Sequence, residues 1–209
     1  MSGGVLPLCF SLEPGVPFSL PMDGSENVIL VGFMGAGKSS VGRLLAKRLG
    51  RCFVETDDLI VAKEGRSIPE IFRTYGEARF RELEAELLDL LRLKRGDVIA
   101  TGGGLPCREG RMEALKAMGT VVWLAGEFEA LYERALRSDS RPMLDGKSKE
   151  EVAALYQARE PYYRQAHFTV ETTGAGVDQV VRRIEALLRS PGPQPKVAAP
   201  QPKAGEWVG

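Results

Sequence analysis

Short apolar runs alternate with longer amphipathic segments from about residue 27 to residue 189. The runs are only three to five residues long, which is too short for a typical helix, and turn-forming or polar residues bound them. They predict strands at Val28–Val31, Cys52–Glu55, Val98–Ala100, Thr120–Leu124 and Phe168–Glu171. Strands that alternate with helices predict an α/β fold of three layers, in which helices cover both faces of a five-stranded parallel sheet.

The segments between the strands place apolar residues three or four positions apart, as in helices with one buried face. One predicted helix spans Lys38–Leu49 and another spans about Glu77 to Lys94. Ser67–Glu70 and Ser148–Glu151 have the sequence of capping boxes, which begin helices. The charges from Glu82 to Glu86 are expected to form a solvated face of the longer helix.

Residues Gly32–Ser39 match the phosphate-loop pattern G-x-x-x-x-G-K-[ST]. The loop follows a predicted strand and opens a predicted helix, and this context argues against a chance glycine-rich turn. The backbone N–H groups and the helix N-terminus would hold a triphosphate, Lys38 would reach its β- and γ-phosphates, and the Ser39 hydroxyl would hold Mg²⁺. The predicted nucleotide-binding residues are Gly35, Ala36, Gly37, Lys38, Ser39 and Ser40.

Carboxylates follow the second predicted strand. Glu55 and Asp57 lie two positions apart, so in extended backbone they project to the same side. One would hold a water ligand of Mg²⁺, and the other would accept a hydrogen bond from an attacking hydroxyl. Alternatively, Glu55, Asp57 and Asp58 only begin a helix, where acidic residues suit the dipole. The run Gly102–Gly104 after the third strand indicates a sharp turn or close approach of backbone to a ligand.

Four arginines are candidates for binding anions, although most arginines on such helices are solvated surface charges. Arg81 lies on the longer predicted helix and Arg159 lies just before a Glu-Pro pair. Arg137 and Arg141 flank a short polar run. Residues 137–147 are polar and turn-rich between two helices, which predicts a mobile lid over the nucleotide. An arginine in the lid would neutralise charge during phosphoryl transfer.

The 209 residues fit one domain at 27–189, between a flexible extension at 1–26 and a disordered Pro/Ala-rich tail at 190–209. Lys plus Arg and Asp plus Glu each number 28, so net charge favours neither nucleic acid nor an anionic membrane as a partner. No apolar stretch approaches the roughly 20 residues of a spanning helix. The first 26 residues lack Lys and Arg, so they have neither the basic region of a secretory signal nor the basic, amphipathic character of a transit peptide. The three cysteines share no metal-ligand spacing and are expected to be reduced thiols. A cytoplasmic monomer is expected.

These motifs together resemble those of the shikimate kinase family over about Asn27 to Leu188. Each is weak alone, but their order along one chain is specific. The matching stretches are the phosphate loop, Phe53-x-Glu55-Thr56-Asp57, Gly65-Arg66-Ser67-Ile68 with Ile71-Phe72, Gly76-Glu77 with Phe80-Arg81, Thr101-Gly102-Gly103-Gly104, Arg141-Pro142-Met143-Leu144 and Arg159-Glu160-Pro161-x-Tyr163.

The resemblance implies a P-loop kinase fold with strand order 2-3-1-4-5 and a lid, similar to nucleoside monophosphate kinases. It implies transfer of the γ-phosphoryl group of ATP to the 3-hydroxyl of shikimate, which gives shikimate 3-phosphate and ADP on the chorismate and aromatic amino-acid pathway. By the same resemblance, Asp57 holds ring hydroxyls and orients or deprotonates the nucleophile, and Arg81 and Arg159 grip the carboxylate. Gly103 and Gly104 offer backbone contacts to the ring.

On the nucleotide side, the resemblance implies that Lys38 and Arg141 stabilise the transferring phosphoryl group. With Asp57 they are the predicted catalytic residues. Ser39 ligates Mg²⁺, Glu55 acts on the metal through water, and Arg137 packs on adenine together with the lid. The cofactor is therefore Mg²⁺, and the partners are ATP and shikimate.

The chain departs from the family at Glu55, where aspartate is usual, at Met143, where leucine is usual, and in the short spacing between Arg137 and Arg141. Tyr163 is expected to pack the helix that carries Arg159. Two other functions stay open from the sequence. One is a different P-loop kinase of small molecules, such as a gluconate kinase. The other is a nucleotide-binding module without catalytic activity.

Overall fold

The structure is a computed structural model that describes residues 26–137 and 147–189. Residues 1–25, 138–146 and 190–209 lie outside this described part of the chain. The predicted N-terminal extension, most of the predicted lid and the predicted C-terminal tail therefore lie outside the described residues. Arg141, a predicted catalytic residue, lies outside them as well.

Five parallel strands form one sheet in the order β2-β3-β1-β4-β5, as the family resemblance implied. Each bound is within one residue of its predicted position. Because helices cover both faces, the central strand is apolar throughout its middle, and Ile29, Leu30 and Val31 are fully buried. The strands are β1 Asn27–Val31, β2 Phe53–Glu55, β3 Val98–Ala100, β4 Gly119–Ala125 and β5 Phe168–Glu171.

The described part of the chain forms seven helices. They are α1 Lys38–Leu49, α2 Thr56–Glu64, α3 Ile68–Leu91, α4 Arg111–Met118, α5 Phe128–Leu136, α6 Lys149–Tyr163 and α7 Val177–Arg189. Both predicted capping boxes are confirmed at the starts of α3 and α6. No helix in the described ranges is both long and apolar enough to cross a membrane.

Helix α3 contains two predicted helices, one that follows the capping box at Ser67 and one that was expected from about Glu77 to Lys94. It begins at Ile68 and ends at Leu91, three residues before Lys94. The helical backbone is interrupted at Gly76, where φ is 76° and ψ is 178°. Glycine reaches this conformation without steric cost, so a short first segment joins the longer predicted segment at an angle.

The sheet brings together the three segments that carry the candidate chemistry. The phosphate loop follows β1, Thr56 and Asp57 follow β2, and the glycine run follows β3. Strands β2, β3 and β1 are adjacent and parallel, so their carboxyl ends meet at one edge of the sheet. In α/β sheets this edge is where ligands bind.

Candidate active site

The phosphate loop curls between β1 and α1 with glycines in backbone conformations that other residues rarely adopt. The φ angles of Gly35 and Gly37 are 77° and 83°. A Cβ atom on Gly35 would lie 2.0 Å from the Leu131 carbonyl oxygen of α5, so only glycine allows this packing. The Lys38 ammonium group donates to the carbonyl oxygens of Gly32 at 2.8 Å and Phe33 at 3.0 Å, which keeps it within the loop.

Ser39 and Glu55 supply the oxygen atoms that suit Mg²⁺. The Ser39 hydroxyl at the start of α1 donates to a carboxylate oxygen of Glu55 at the end of β2. Arg43 donates to the other oxygen at 3.3 Å. The described residues contain no cluster of three or more His, Cys, Asp or Glu side chains that could enclose a metal. A hydroxyl and one carboxylate fit Mg²⁺, which takes few protein ligands and binds phosphates and water besides.

Asp57 lies in the first turn of α2, so the prediction that Glu55 and Asp57 share one extended segment is wrong. Thr56 already begins the helix, and Glu55 alone keeps strand geometry, with φ −111° and ψ 123°. The alternative, in which the acidic residues begin a helix, describes the local backbone. Thr56 is fully buried and its hydroxyl accepts the Gly102 N–H at 2.7 Å, which fixes α2 against the glycine run.

The Asp57 side chain is partly buried and packs against this glycine run. A Cβ atom on Gly102 would lie 2.4 Å from Asp57 Oδ1, so a larger residue there would displace the carboxylate. Burial raises the pKa of Asp57 from 3.8 to about 6, Lys38 opposes the shift, and the negative charge of Glu84 adds to it. A carboxylate with this pKa is ionised near neutral pH and accepts a proton more readily than an ordinary aspartate.

Arg81 on α3 is held between two carboxylates of its own helix. Its Nε and Nη2 atoms donate to Glu77 at 3.0 and 2.8 Å, and Nη1 donates to Glu84 at 2.8 Å. Glu84 is only 3% exposed, so the predicted solvated face is wrong at this position. The signal was in the sequence, because Glu84 lies four positions after buried Phe80 and so falls on the apolar face of the helix.

Arg159 on α6 is 9% exposed and lies next to the same glycine run. Within residues 26–137 and 147–189, no carboxylate lies within 4.0 Å of its guanidinium group. A Cβ atom on Gly104 would lie 3.1 Å from Nη1 of Arg81 and 3.2 Å from Nη2 of Arg159, so both cations border this residue. A buried cation without an ionic partner is costly, and an anionic ligand would relieve that cost.

A cavity of about 370 Å³ adjoins the other side of the phosphate loop. Gly35, Ala36, Gly37 and Ser40 line it together with Arg134, which donates to the Thr172 carbonyl oxygen at 2.9 Å. Arg137, the predicted adenine contact, does not line this cavity. Its side chain is 79% exposed, and it pairs with Glu133 at 3.8 Å. Arg134 was not predicted as a site residue, because a single arginine on an amphipathic helix has no distinguishing sequence pattern.

Apart from Arg137, the predicted site residues of the described chain thus form two adjoining compartments. The phosphate loop with Ser39 and Glu55 can hold a metal–triphosphate complex. Beside it, Asp57, Arg81, Arg159 and the glycine run can hold a small acid that carries hydroxyl groups. This arrangement defines a P-loop kinase that phosphorylates a small molecule.

Comparison with known proteins narrows the class. The shikimate kinase family model matches residues 34–189. Shikimate kinase of Geobacter sulfurreducens is 45% identical over 172 residues, which are 82% of this chain and 94% of that protein. Shikimate kinase of Thermodesulfovibrio yellowstonii is 41% identical over 160 residues, which cover 76% of this chain and 92% of that protein. The chain belongs to the shikimate kinase family and is an ATP-dependent kinase.

Solved structures agree with this assignment. Shikimate kinase from Acinetobacter baumannii in complex with shikimate has a TM-score of 0.74 and 39% sequence identity, and it covers 78% of this chain and 92% of its own. Shikimate kinase from Aquifex aeolicus has a TM-score of 0.68 and 38% identity, over 77% and 94% of the two chains. The fold predicted from the resemblance is confirmed.

Proposed function

We propose that this protein transfers the γ-phosphoryl group of ATP to the 3-hydroxyl of shikimate and releases shikimate 3-phosphate and ADP. The observation that carries the proposal is the cationic pair at Gly104. Arg159 is nearly buried without an ionic partner among the described residues, and Arg81 borders the same glycine. Two guanidinium groups beside one residue match a single carboxylate, which is the anionic group of shikimate.

Asp57 is proposed to receive the reacting hydroxyl. It lies between the phosphate loop and the glycine run, close enough to Lys38 for the ammonium charge to lower its pKa. With a pKa of about 6, the carboxylate is ionised at neutral pH and can accept a hydrogen bond from the hydroxyl. The nucleophile would then be held by its own acid group on one side and by Asp57 on the other, which aligns it for in-line attack.

On the nucleotide side, Lys38 is proposed to stabilise the charge on the transferring phosphoryl group, and Ser39 to ligate Mg²⁺ with Glu55 acting through water. Mg²⁺ bound to the triphosphate supplies charge neutralisation when it is present. The Ser39–Glu55 hydrogen bond supports this assignment, because it brings together beside the loop the two oxygen atoms that would act on the metal. Arg141 and the lid belong to the proposal through the family resemblance.

The proposed partners are limited to ATP and shikimate, and the proposed state is a cytoplasmic monomer. Equal numbers of acidic and basic residues, 28 of each, provide no net charge for binding nucleic acid or an anionic membrane. Cys107 is a free thiol, which suits a reducing compartment.

The test of the function is ADP release with ATP, Mg²⁺ and one of three acceptors: shikimate, quinate or gluconate. We expect shikimate to give by far the largest kcat/KM. Preference for gluconate would assign a different small-molecule kinase. ATP binding without ADP release for any acceptor would assign a non-catalytic module, and either result would overturn the proposal.

The carboxylate site is tested by Arg159→Gln with shikimate titrations followed by calorimetry. Loss of a charge-assisted contact is expected to weaken shikimate binding by about 10- to 100-fold while ATP binding is kept. The matched control is Arg164→Gln, directly after the same helix, where the arginine side chain is 65% exposed and pairs with Glu160. Equal shikimate affinity in the two variants would remove Arg159 from the site.

A further inference from the structure

The carbonyl group of Gly103 is turned into the protein interior and held there. The hydroxyl of Tyr163, the last residue of α6, donates to this oxygen at 2.6 Å. Tyr163 is fully buried, so the carbonyl that it binds points inward. The Cys107 thiol approaches the same oxygen at 3.4 Å. Burial raises the pKa of Tyr163 well above its ordinary value, so the hydroxyl keeps its proton and remains a donor.

The direction of this carbonyl sets the direction of the next N–H group. The peptide between Gly103 and Gly104 is trans, and in a trans peptide the carbonyl and the N–H point in opposite directions. The N–H of Gly104 therefore points away from Tyr163. It donates no hydrogen bond to any of the described residues. Arg81 and Arg159 both lie next to the position that a Cβ atom on Gly104 would take, so this N–H lies in the neighbourhood of the two guanidinium groups and is available as a third donor.

A peptide between two glycines has little intrinsic preference for one orientation, because neither residue carries a Cβ atom. A flipped peptide would turn the Gly103 carbonyl oxygen toward the space between the cations and repel an anion there. The ring of Tyr163 stacks on Trp123 of β4, with centroids 6.2 Å apart, so its hydroxyl is fixed relative to the sheet. By donating to the Gly103 carbonyl oxygen, the hydroxyl is therefore suited to hold the 103–104 peptide in one of its two orientations.

We infer that Tyr163 is a positioning residue for substrate binding, whose hydroxyl fixes the 103–104 peptide so that the Gly104 N–H joins Arg81 and Arg159 in binding the substrate carboxylate. Arg159 lies beside the same hydroxyl, because Nη1 of Arg159 and the Tyr163 oxygen approach one point above Gly103, at 3.6 and 3.7 Å. This role rests on the proposed function. The role belongs to the hydroxyl of Tyr163, whereas the packing of its ring does not require the hydroxyl.

The test is Tyr163→Phe, which removes the hydroxyl and keeps the ring. We expect the KM for shikimate to rise about 5- to 20-fold, as for loss of a buried hydrogen bond. The KM for ATP and the kcat are expected to change less than about twofold, because the carboxylate is remote from the reacting atoms and its binding is the same in ground and transition states. For a shikimate analogue in which a primary amide replaces the carboxylate, Tyr163→Phe should raise the KM much less.

Tyr156→Phe is the matched control. Tyr156 lies on the same helix, and its hydroxyl also donates to a glycine carbonyl, that of Gly126 at 3.2 Å. This variant is expected to leave the KM for shikimate unchanged. Equal shikimate KM values in the two variants, or a parallel rise in both KM values of Tyr163→Phe, would assign Tyr163 a purely structural role and overturn the inference.

A second measurement does not depend on the stability of a variant. In the wild-type protein, shikimate is expected to shift the amide resonance of Gly104 and slow its hydrogen exchange, because the N–H binds the carboxylate. An unchanged Gly104 amide at saturating shikimate would overturn the inference and leave the proposed function intact. Failure of wild-type protein to phosphorylate shikimate would instead overturn the proposed function.

Discussion

At the scale of single residues, the role proposed for Asp57 requires a negative charge, which the partly buried position of this residue disfavours. Its pKa rises from 3.8 to about 6 on folding, so the folded protein binds this proton more tightly than the unfolded chain does. The contribution of Asp57 to the free energy of unfolding therefore falls as pH rises from about 4 to about 6 and is then constant. A shift of this size corresponds to a cost of about 3 kcal/mol at neutral pH.

Asp57→Asn is expected to separate activity from stability. Turnover should fall by at least about 10³-fold, because the amide can neither accept a proton nor orient the hydroxyl as an anion does. The free energy of unfolding at pH 7.5 should rise by up to about 3 kcal/mol, and by about half as much at pH 5, where the wild-type residue is largely protonated. Urea denaturation at the two pH values measures both changes.

Asp58→Asn is the control for this experiment, since Asp58 is next in the chain and its side chain is 71% exposed. It should leave turnover unchanged and alter the pH dependence of stability only slightly, since the Asp58 charge is the smallest of the causes that raise the pKa of Asp57. If Asp57→Asn kept near-normal turnover, Asp57 would not be the group that receives the hydroxyl. If it lowered stability at pH 7.5, the burial cost inferred from the pKa would be wrong.

At the scale of elements, β1 and β4 approach most closely where both begin. Gly119 opens β4 opposite Asn27, and a Cβ atom on Gly119 would lie 2.2 Å from the Asn27 carbonyl oxygen. Asn27 cannot move aside. Its buried side chain donates to the carbonyl oxygens of Lys94 and Met118, each at 3.0 Å.

Gly119→Ala is therefore expected to lower the free energy of unfolding by about 2 to 4 kcal/mol, as an overpacked core position does. Because the site lies at the opposite end of the strands, the KM values for ATP and shikimate should not change in the folded variant. Gly176→Ala is the control for stability, since a Cβ atom there meets nothing within 4 Å. Equal stability of the two variants would show that the strands can separate at this point.

The strands and most helices could be predicted because each depends on local pattern. The apolar run of β1 and the capping box at Ser148 are examples of signals that lie within a few residues of each other. The start of α2 at Thr56 could not be predicted, because the same acidic residues suit a strand end and a helix start. The break at Gly76 agrees with the predicted helix start near Glu77, but its backbone angles could not be predicted, since a glycine near a helical pattern does not specify its own φ angle.

The contacts that shape the site could not be predicted from local sequence pattern, and the reason is different. Tyr163 and Gly103 are 60 positions apart, and Thr56 and Gly102 are 46 apart. Such pairs are brought together only by the order of the strands, and that order was available from the family resemblance and not from periodicity. The identities of Asp57, Arg81 and Arg159 were predicted from motifs, whereas the pKa of Asp57 and the burial of Glu84 required the fold.

At the scale of the whole molecule, the described residues pack as one unit around a single sheet. Helices α1 and α7 pack together, and Arg48 on α1 pairs with Glu185 on α7 at 3.2 Å, which joins the C-terminal helix to the helix after the phosphate loop. Within this unit lie the five strands and all predicted site residues except Arg141. Fold and chemistry are thus expected to depend on residues 26–189.

A chain without residues 1–23 and 190–209 is therefore expected to keep its kcat/KM for shikimate within about twofold and its Tm within about 2 °C, because the segments removed are rich in proline and carry no predicted site residue.

The control is a chain that begins at Val28, which also loses Asn27. It should be less stable by several kcal/mol, since the buried N–H of Asp97 and the carbonyl oxygens of Lys94 and Met118 lose their partner. Thermal unfolding and the ADP-release assay measure both chains. A large loss of activity in the first chain, with its Tm unchanged, would show that an end segment contributes to the site, and equal Tm values for the two chains would contradict the role of Asn27.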